Sequence, residues 1–237
     1  MNPTEKHAGP QHFLYDADLV PEMDSRHFEP EDLARSGMLR GHATGRGATH
    51  FMELAGRQCV LRHYRRGGLV ASLLDDRYPR VPLRATRAWR EWHLLAELAG
   101  RGLPVPQPVA ARVVTQGPFY RADLVTLRIP RTRTLAELLR SAPLEEEGWR
   151  AIGSCIGRFH GCGVFHADLN AHNILLDGSG EVYLIDFDRG KIRTPAPGWQ
   201  RSNLERLRRS LDKLTGQDGG IGSGDWQALL GGYSSSQ

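Results

Sequence analysis

His166-Ala167-Asp168-Leu169-Asn170-Ala171-His172-Asn173-Ile174-Leu175, followed after a predicted turn and strand by Ile185-Asp186-Phe187, contains most of the chemical information in this chain. Asp168 is placed to accept a proton from a hydroxyl group. Asn173 and Asp186 offer side-chain oxygen atoms, the ligands that a hard cation such as Mg²⁺ prefers. The ordered set of His-x-Asp, an Asn five residues after that Asp, and Asp-Phe after an apolar strand is rarely met by chance. It predicts a site where a proton is transferred beside a bound metal ion.

The same set resembles the catalytic loop and metal-binding strand of protein-kinase-like phosphotransferases. The resemblance implies that Asp168 is the catalytic base, that Asn173 and Asp186 bind magnesium, and that ATP and Mg²⁺ are the cofactors. His166 is expected to brace the loop through hydrogen bonds rather than act as a base. Two alternatives without catalysis are an inactive relative that keeps the fold and an unrelated strand-loop-strand.

Two positions in this segment depart from the protein-kinase pattern. Asn170 stands where protein kinases place a lysine, and either contact with phosphate or substrate or a structural capping role fits an asparagine there. Asp188 replaces the glycine of Asp-Phe-Gly. That replacement argues against a hinged regulatory switch at this point.

Upstream, two glycines and an arginine are candidates for nucleotide binding. Gly45 and Gly47 let the backbone approach a phosphate closely. A lone Gly-x-Gly is weak evidence, and His50 occupies the place of the third glycine of the kinase loop. Arg62 ends a strand where protein kinases carry a lysine, so it is the candidate phosphate-binding cation. A solvated strand arginine is the alternative.

Glu91 is the candidate partner of Arg62. It lies in a predicted helix, Leu83–Ala99, as does the glutamate that pairs with the strand lysine in kinases. Most helix glutamates face water, but Trp89 and Trp92 beside it indicate that this helix is well buried. The pattern therefore favours a Glu91–Arg62 pair that helps to bind the nucleotide.

Turn signals and hydrophobic periodicity divide the chain into elements. Strands are predicted at Thr49–Leu54, Gln58–Tyr64, Val109–Thr115, Tyr120–Ile129, Ile174–Leu176 and Val182–Ile185. Helices are predicted near Pro30–Arg35, at Leu83–Ala99, from a capping box at Thr134, at Glu146–Cys162 and at about Asn203–Thr215. The rest of residues 1–40 is expected to be an irregular extension, and Gly219–Gln237 a partly mobile Gly/Ser-rich tail.

This order of elements predicts an α+β fold, two-lobed and protein-kinase-like. The N-lobe, residues 1–130 with the N-terminal extension, is expected to contain a small mixed sheet and a helix. The C-lobe, residues 131–237, is expected to be a reduced helical domain with the catalytic loop, the metal-binding strand and a C-terminal helix.

Composition describes a globular chain. Its 237 residues are 40% hydrophobic and 24% charged, which excludes a disordered tail. No stretch approaches the roughly 20 apolar residues of a membrane span, and the N-terminus lacks the apolar core of a secretory signal, so a cytoplasmic location is expected. The chain has an odd number of cysteines, Cys59, Cys155 and Cys162, and none of them forms a C-x-x-C motif, which predicts reduced thiols. The spacing of nearby histidines does not match the paired zinc patterns.

Within the kinase class, the chain resembles the lipopolysaccharide kinases, in particular those acting on 3-deoxy-D-manno-octulosonic acid (Kdo). The catalytic loop indicates only a kinase. The narrower marker is Arg62-His63-Tyr64-Arg65-Arg66-Gly67-Gly68. Other stretches that carry the resemblance are Gly45-Arg46-Gly47-Ala48-Thr49-His50-Phe51, Gly102-Leu103-Pro104-Val105-Pro106 and Leu184-Ile185-Asp186-Phe187-Asp188-Arg189-Gly190.

The resemblance implies ATP-dependent phosphorylation of the 4-hydroxyl of a Kdo residue. The partner would be a Kdo-lipid A type glycolipid at the anionic cytoplasmic face of the bacterial inner membrane, with no nucleic acid and no protein partner. The residues after Asp188 independently favour a small-molecule or glycan acceptor over a protein, because they contain no Ala-Pro-Glu and are too few for a peptide-substrate platform.

Three rival functions stay open at the sequence level. Aminoglycoside and choline kinases often carry the same loop, but usually need a larger helical C-lobe. A heptose kinase of lipopolysaccharide assembly is nearer. A non-catalytic basic module that retains the kinase fold is a rival from another class, although intact Asp168, Asn173 and Asp186 oppose it.

Basic clusters predict a peripheral, salt-sensitive contact with acidic lipid. The formal net charge is +4, and nearly all the basic residues are arginine. One cluster is Arg77, Arg80, Arg84 and Arg87 with nearby Arg65 and Arg66; another, on the last predicted helix, is Arg206, Arg208, Arg209 and Lys213. Each cluster alone is more typical of a solvated face. The first is expected to contribute more to lipid binding, because the leucine stripe of the last helix is typical of a core.

Overall fold

The computed structural model of the chain describes residues 1–43, 49–65, 76–216 and 221–236. It divides into two units, one of Met1–Ala96 and Gln107–Arg128 and the other of Glu97–Pro106 and Ile129–Gln237. The sequence-based division at residue 130 put Glu97–Pro106 in the first unit, whereas it belongs to the second. One contact that keeps it there is the hydrogen bond from the backbone N–H of Leu184 to the carbonyl of Pro104, 3.1 Å long.

An eight-stranded sheet forms the first unit. Its strands are β1 (Pro3–Ala8), β2 (Gln11–Asp16), β3 (Leu39–Ala43), β4 (Thr49–Leu54), β5 (Arg57–His63), β6 (Tyr78–Pro79), β7 (Pro108–Gln116) and β8 (Phe119–Leu127). The order is β1-β2-β7-β8-β5-β4-β3, with β6 paired to β8. Every pair among these strands is antiparallel. The α+β class is confirmed, and the sheet is larger than the small mixed sheet that the sequence predicts.

Four of its strands were not predicted: β3, β6 and the first two, β1 and β2, which lie in the N-terminal extension, where the prediction of irregular structure was wrong. Strand β2 pairs with β7, with Leu14 opposite Ala111. Phe13 and Leu14 enter the core and are each only 1% exposed. Because the partner strand is distant along the chain, local sequence pattern carries little signal for this pairing. The predicted short helix of the extension is present as α1 (Pro30–Arg35).

A buried network of charges ties the extension to the sheet. The Arg112 guanidinium donates to Asp123 at 2.7 Å and to Glu29, beside α1, at 2.6 Å. Asp123 also lies 2.5 Å from Nδ1 of His63. Burial lowers the pKa of His63, but hydrogen bonds and charge attraction from Asp123 and Asp76 outweigh it, so this pKa lies above its usual value. Removing one member would leave its partners charged and desolvated.

The hairpin of β4 and β5 is confirmed where the sequence predicts it. Leu54 pairs with Arg57, so the turn consists of Ala55 and Gly56, whose φ angles are +48° and +70°. Two consecutive left-handed residues are typical of the type I′ turn, whose twist matches that of the strands. The turn fixes the hairpin register, which places Arg62 opposite Thr49.

The second unit is mainly helical, and its predicted helices are present with shifted ends. Its elements include α3 (Leu135–Ser141), α4 (Glu146–Gly161), α5 (Pro197–Thr215), α6 (Ser223–Ser234), β9 (Thr132–Thr134), β10 (Val164–Phe165), β11 (Ile174–Asp177), β12 (Val182–Leu184) and β13 (Lys191–Ile192); helix α2 (Arg87–Gly100) runs from the first unit into the second. The capping box at Thr134 and Glu137 is confirmed. Helix α5 begins at Pro197, before the predicted start, because proline is compatible with a first helical turn.

The C-terminal segment corrects another prediction, since α6 occupies most of the tail expected to be mobile. Trp226, Leu229 and Tyr233 of α6 are buried. Two glycines let the backbones of α4 and α6 approach closely: a Cβ at Gly153 would lie 1.9 Å from the carbonyl oxygen of Leu229, and one at Gly232 would lie 2.0 Å from that of Arg150. Glycine-rich composition here indicates close helix packing rather than disorder.

We expect Gly153→Ala to destabilise the protein by about 1–3 kcal/mol, because the added methyl group forces two packed helices apart. Chemical denaturation followed by circular dichroism measures this free energy of unfolding. Gly161→Ala is the matched control on the same helix, since a Cβ there meets no atom within 4 Å. Equal stability of the two variants would contradict the close packing of α4 against α6.

Candidate active site

The catalytic loop of the second unit is braced by His166, as the sequence predicts. Its Nε2 lies 2.9 Å from the carbonyl oxygen of Ile185, and its Nδ1 accepts the backbone N–H of Asp168 at 3.2 Å. The ring also packs on Phe187, with centroids 4.7 Å apart. One side chain therefore fixes the candidate base relative to the strand that precedes the candidate metal ligand Asp186.

These two hydrogen bonds define the state of the ring. A carbonyl oxygen only accepts, so Nε2 carries the proton, and an amide N–H only donates, so Nδ1 is unprotonated. His166 is therefore neutral in this arrangement. Burial lowers its pKa, in agreement with a neutral ring, although the nearby carboxylates of Asp186 and Asp168 oppose the shift. A buried neutral histidine suits bracing better than proton transfer.

The candidate base Asp168 is accessible, with 53% of its side chain exposed. Its backbone carbonyl accepts the side-chain amide N–H groups of Asn173 at 2.9 Å and of Asn170 at 3.0 Å. The amide nitrogen of Asn173 is thus occupied, which leaves the amide oxygen as the atom suited to a cation. Asn170 has a structural role here, since its other amide atom accepts the backbone N–H of His172 at 2.8 Å.

The hairpin of β11 and β12 brings the two candidate metal ligands to one end. Ile174 pairs with Leu184, and the N–H of Ile185 donates to the carbonyl of Asn173 at 3.0 Å, so Asp186 follows directly after the residue opposite Asn173. Asp186 has φ +62°, a left-handed conformation that aspartate tolerates better than most residues.

The donor set fits magnesium. It offers one carboxylate and one oriented amide oxygen, both hard oxygen ligands on a short hairpin end. Among the described residues, no three His, Cys, Asp or Glu side chains cluster as ligands for a metal ion. An oxygen site completed by phosphate and water, rather than an all-protein cage, is the kind that this pair could form.

Helix α5 supports the catalytic loop from the other side, a role that sequence reasoning missed. Asn203 is 2% exposed, and its side chain accepts the N–H of His166 at 3.2 Å and donates to its carbonyl at 3.0 Å. Ser210 accepts the N–H of Ala171 at 3.2 Å. Arg206, on the same helix face, places Nη1 3.5 Å from a carboxylate oxygen of Asp168. Polar residues spaced 3 and 4 apart beside a leucine stripe were the available signal.

In the first unit, the predicted contact between Arg62 and Glu91 is present. The guanidinium Nη2 of Arg62, on β5, lies 2.5 Å from Oε2 of Glu91, on α2. Glu91 is buried and Arg62 is 22% exposed. A buried carboxylate needs such a partner because desolvation alone would disfavour its charge. Trp89 and Trp92 are fully buried, which confirms that this helix is well packed.

Tyr64 is a second partner of Glu91 that the sequence reasoning did not assign. Its hydroxyl donates to the same Oε2 of Glu91 at 2.5 Å, and the guanidinium of Arg62 lies 4.7 Å from its ring centroid. Burial and then the Glu91 charge raise the pKa of Tyr64 well above its usual value, so the hydroxyl stays protonated and donates. Arg62 and Tyr64 project to the same side of the chain because they are two residues apart in extended backbone.

Two glycines and one arginine that the sequence assigned to ligand binding differ in how far the structure describes them. Gly45 and Gly47, the candidates for phosphate contact, lie outside the described residues. Arg87, one of the predicted lipid contacts, instead donates to the Tyr78 hydroxyl at 2.6 Å and lies over the rings of Tyr78 and Tyr64.

In the part of the chain that the structure describes, no helix is long and apolar enough to cross a membrane.

We expect Tyr64→Phe to destabilise the protein by about 1–3 kcal/mol, because a buried carboxylate loses a hydrogen-bond donor. The cost should shrink in a Glu91→Gln background, where no buried charge needs that donor, and a double-mutant cycle of unfolding free energies measures the difference. Tyr183→Phe is the control, since the Tyr183 hydroxyl makes no hydrogen bond within the described ranges. Strict additivity would show that the Tyr64 hydroxyl does not stabilise Glu91.

Comparison with known proteins assigns the chain to a family. The model of the lipopolysaccharide kinase (Kdo/WaaP) family matches residues 33–233. The chain is similar to proteins named 3-deoxy-D-manno-octulosonic acid kinase from Vibrio cholerae serotype O1, 41% identical over 203 residues and 86% of each chain, and from Vibrio vulnificus strain YJ016, 39% identical over 230 residues and 97% of each chain. The protein of that name from Xylella fastidiosa strain 9a5c is 48% identical over 181 residues, 75% of this chain and 72% of its own. With its catalytic loop, oxygen-ligand hairpin and Arg–Glu pair, the chain belongs to the lipopolysaccharide kinase (Kdo/WaaP) family.

Proposed function

We propose that this chain transfers the γ-phosphoryl group of ATP to the 4-hydroxyl of a Kdo residue on a lipid A precursor, in the assembly of the lipopolysaccharide core. Family membership and the name of the relatives support Kdo as the acceptor. The observation that carries the proposal is the exposed carboxylate of Asp168 on a loop whose backbone is held by two buried side chains: Nδ1 of His166 accepts the Asp168 N–H, and the Asn173 amide donates to the Asp168 carbonyl.

In the proposed reaction, Asp168 accepts the proton of the 4-hydroxyl group while the oxygen of that hydroxyl group forms a bond to the γ-phosphorus of ATP. The bond from that phosphorus to the bridging oxygen breaks, and ADP leaves with the bridging oxygen. A positioned general base of this kind contributes about 10²–10⁴-fold to the rate. When bound by Asn173 and Asp186, magnesium would neutralise negative charge on the phosphate groups.

The first unit supplies the proposed phosphate-binding cation. Arg62 presents a planar guanidinium with several donors, which suits phosphate oxygens as a fork rather than as a point charge. Glu91 contacts Nη2 of that guanidinium, and the side chain retains 22% exposure. The contacts with Glu91 and with the Tyr64 ring thus orient Arg62 while its side chain stays partly open to solvent.

Transfer from γ-labelled ATP to Kdo-lipid A, compared with a heptosylated core acceptor, tests the function. We expect labelled phosphate on the Kdo 4-hydroxyl, located by NMR. Asp168→Ala should reduce turnover by about two to four orders of magnitude while ATP still binds, because the base is lost. Transfer only to heptose would favour the heptose kinase alternative, ATP binding without transfer would favour a non-catalytic module, and near-normal turnover of Asp168→Ala would contradict its role.

The magnesium site gives a separate prediction. Asp186→Asn should raise the magnesium concentration needed for half-maximal activity by about tenfold or more, because a charged oxygen ligand is lost. Asn173→Ala should raise it less, since that ligand is neutral. Glu181→Gln, an exposed charge change in the same unit, is the control. A magnesium titration unchanged in Asp186→Asn would mean that this strand end does not bind the metal.

We further propose that the enzyme works at the anionic cytoplasmic surface of the inner membrane, where its acceptor would lie. Arg77, Arg80 and Arg84 are exposed, and their side chains make no ion pair within the described residues. Arg87 is not part of the proposed lipid-binding surface, because its guanidinium lies over two tyrosine rings. Each basic residue near an acidic bilayer contributes about 1 kcal/mol to binding at moderate salt.

Sedimentation with anionic vesicles at low and high salt measures this association. We expect Arg80→Glu with Arg84→Glu to weaken vesicle binding by about 30-fold or more, on the basis of that contribution per residue. Arg209→Glu with Lys213→Glu, exposed residues of α5 with the same change in charge, should weaken it less. Absence of wild-type binding at low salt, or equal effects of the two variants, would contradict the proposed surface.

A further inference from the structure

Arg206 lies beside the candidate base, where helix α5 packs beneath the catalytic loop. It is the middle member of a face of α5 whose other members, Asn203 and Ser210, hydrogen-bond the catalytic loop. Its Nη1 lies 3.5 Å from Oδ1 of Asp168, and the two side chains are 49% and 53% exposed. In the described part of the chain, Arg206 makes no other hydrogen bond or ion pair.

The contact with Asp168 contributes little to stability. It is long for a hydrogen bond between charged groups and is open to water, and exposed pairs of this kind stabilise a fold little. The helix beneath it, by contrast, is firmly placed by the buried Asn203. The fold thus fixes a half-exposed guanidinium beside the carboxylate that is proposed to receive the acceptor's proton.

We propose that Arg206 binds the carboxylate of the acceptor sugar and thereby selects an acidic sugar. This inference rests on the proposed function, in which the 4-hydroxyl of an octulosonic acid meets Asp168. In that sugar a single ring carbon, the deoxy carbon 3, separates the carbon bearing the carboxylate from the carbon bearing the 4-hydroxyl. A hydroxyl at Asp168 therefore brings the carboxylate close to Arg206.

The charges of the three groups agree with this placement. A sugar carboxylate near the Asp168 carboxylate would be repelled, because the two groups carry the same charge. Arg206 offsets both negative charges and has five N–H donors, so contact of Nη1 with Asp168 leaves others for the sugar carboxylate. Arginine forms two parallel hydrogen bonds with a carboxylate, which fixes orientation as well as affinity.

Two other arginines of α5 are less suited to this role. Arg208 lies over the ring of Trp226, with 5.4 Å between guanidinium carbon and ring centroid. Arg201 is exposed and lies about 140° from Arg206 around the helix, given 3.6 residues per turn. The inference also separates the two sugar candidates, because a neutral heptose has no carboxylate for Arg206 to bind.

The test measures kcat/KM of the full chain with two acceptors, Kdo-lipid A and the same glycolipid with its Kdo carboxyl converted to the neutral methyl amide. We expect the wild type to prefer the acid by about 10- to 100-fold, the range of a hydrogen-bonded ion pair. In Arg206→Gln the acid should fall to the level of the amide, mainly through a higher KM. Arg206→Lys should recover part of the preference, Arg201→Gln should retain it fully, and the KM for ATP should be the same in all.

The outcomes separate the inference from the function on which it rests. If Arg206→Gln lowers transfer to acid and amide by the same factor, Arg206 supports Asp168 rather than the acceptor, and the inference is wrong while the function stands. If the wild type phosphorylates both acceptors equally well, the inference is likewise wrong. If the wild type transfers phosphate to neither acceptor, both the proposed function and the inference fail. Thermal unfolding of each variant identifies any loss that comes from misfolding.

Discussion

The side chain of His166 has a hydrogen bond on each ring nitrogen, and the geometry of the proposed catalytic centre depends on both. One joins the ring to the strand that leads to Asp186, and the other to the backbone of Asp168. A protonated ring would present a second N–H toward the N–H of Asp168, where two donors would repel. Burial keeps the ring neutral, so the same desolvation that hides His166 also preserves the loop.

In the first unit, two buried carboxylates also need partners, and side chains that alternate between the two sides of one strand supply them. Arg62 and Tyr64 reach Glu91, while His63 between them reaches Asp123 on the other side of the sheet. Residues 62–64, the start of the narrow sequence marker, thus present two faces, each of which contacts a different buried carboxylate. A shift of one residue in register would exchange these faces and leave both carboxylates without their partners.

Local sequence signals predicted the elements that depend on local chemistry. The capping box at Thr134, the hairpin around Gly56 and the bracing role of His166 follow from residue types at fixed spacing. The elements that were missed depend on distant partners. Strand β2 pairs with β7, which lies far from it along the chain. Helix α6 contains glycines, which are poor helix formers, and it is stabilised by its contact with α4.

The candidate site divides in the same way. Asp168, Asn173 and Asp186 were predicted because their spacing along the chain reflects one hairpin and one loop, and the roles assigned to them stay predictions. Arg206 was grouped with surface arginines, since composition does not distinguish a solvated arginine from one held beside a carboxylate. Only the packing of α5 beneath the loop, through Asn203, places it there.

The glycine contact between α4 and α6 also has a consequence for the order of events during synthesis. Helix α4 leaves the ribosome well before α6, and it carries His160, whose Nδ1 lies 2.9 Å from the Tyr233 hydroxyl. Until residues 223–234 emerge, the face of α4 that packs on α6 is uncovered, and Nδ1 of His160 lacks its Tyr233 partner. The helix that leads into the catalytic loop is therefore expected to consolidate late, and the nascent second unit to rely longer than the first on chaperones that cover exposed apolar surface.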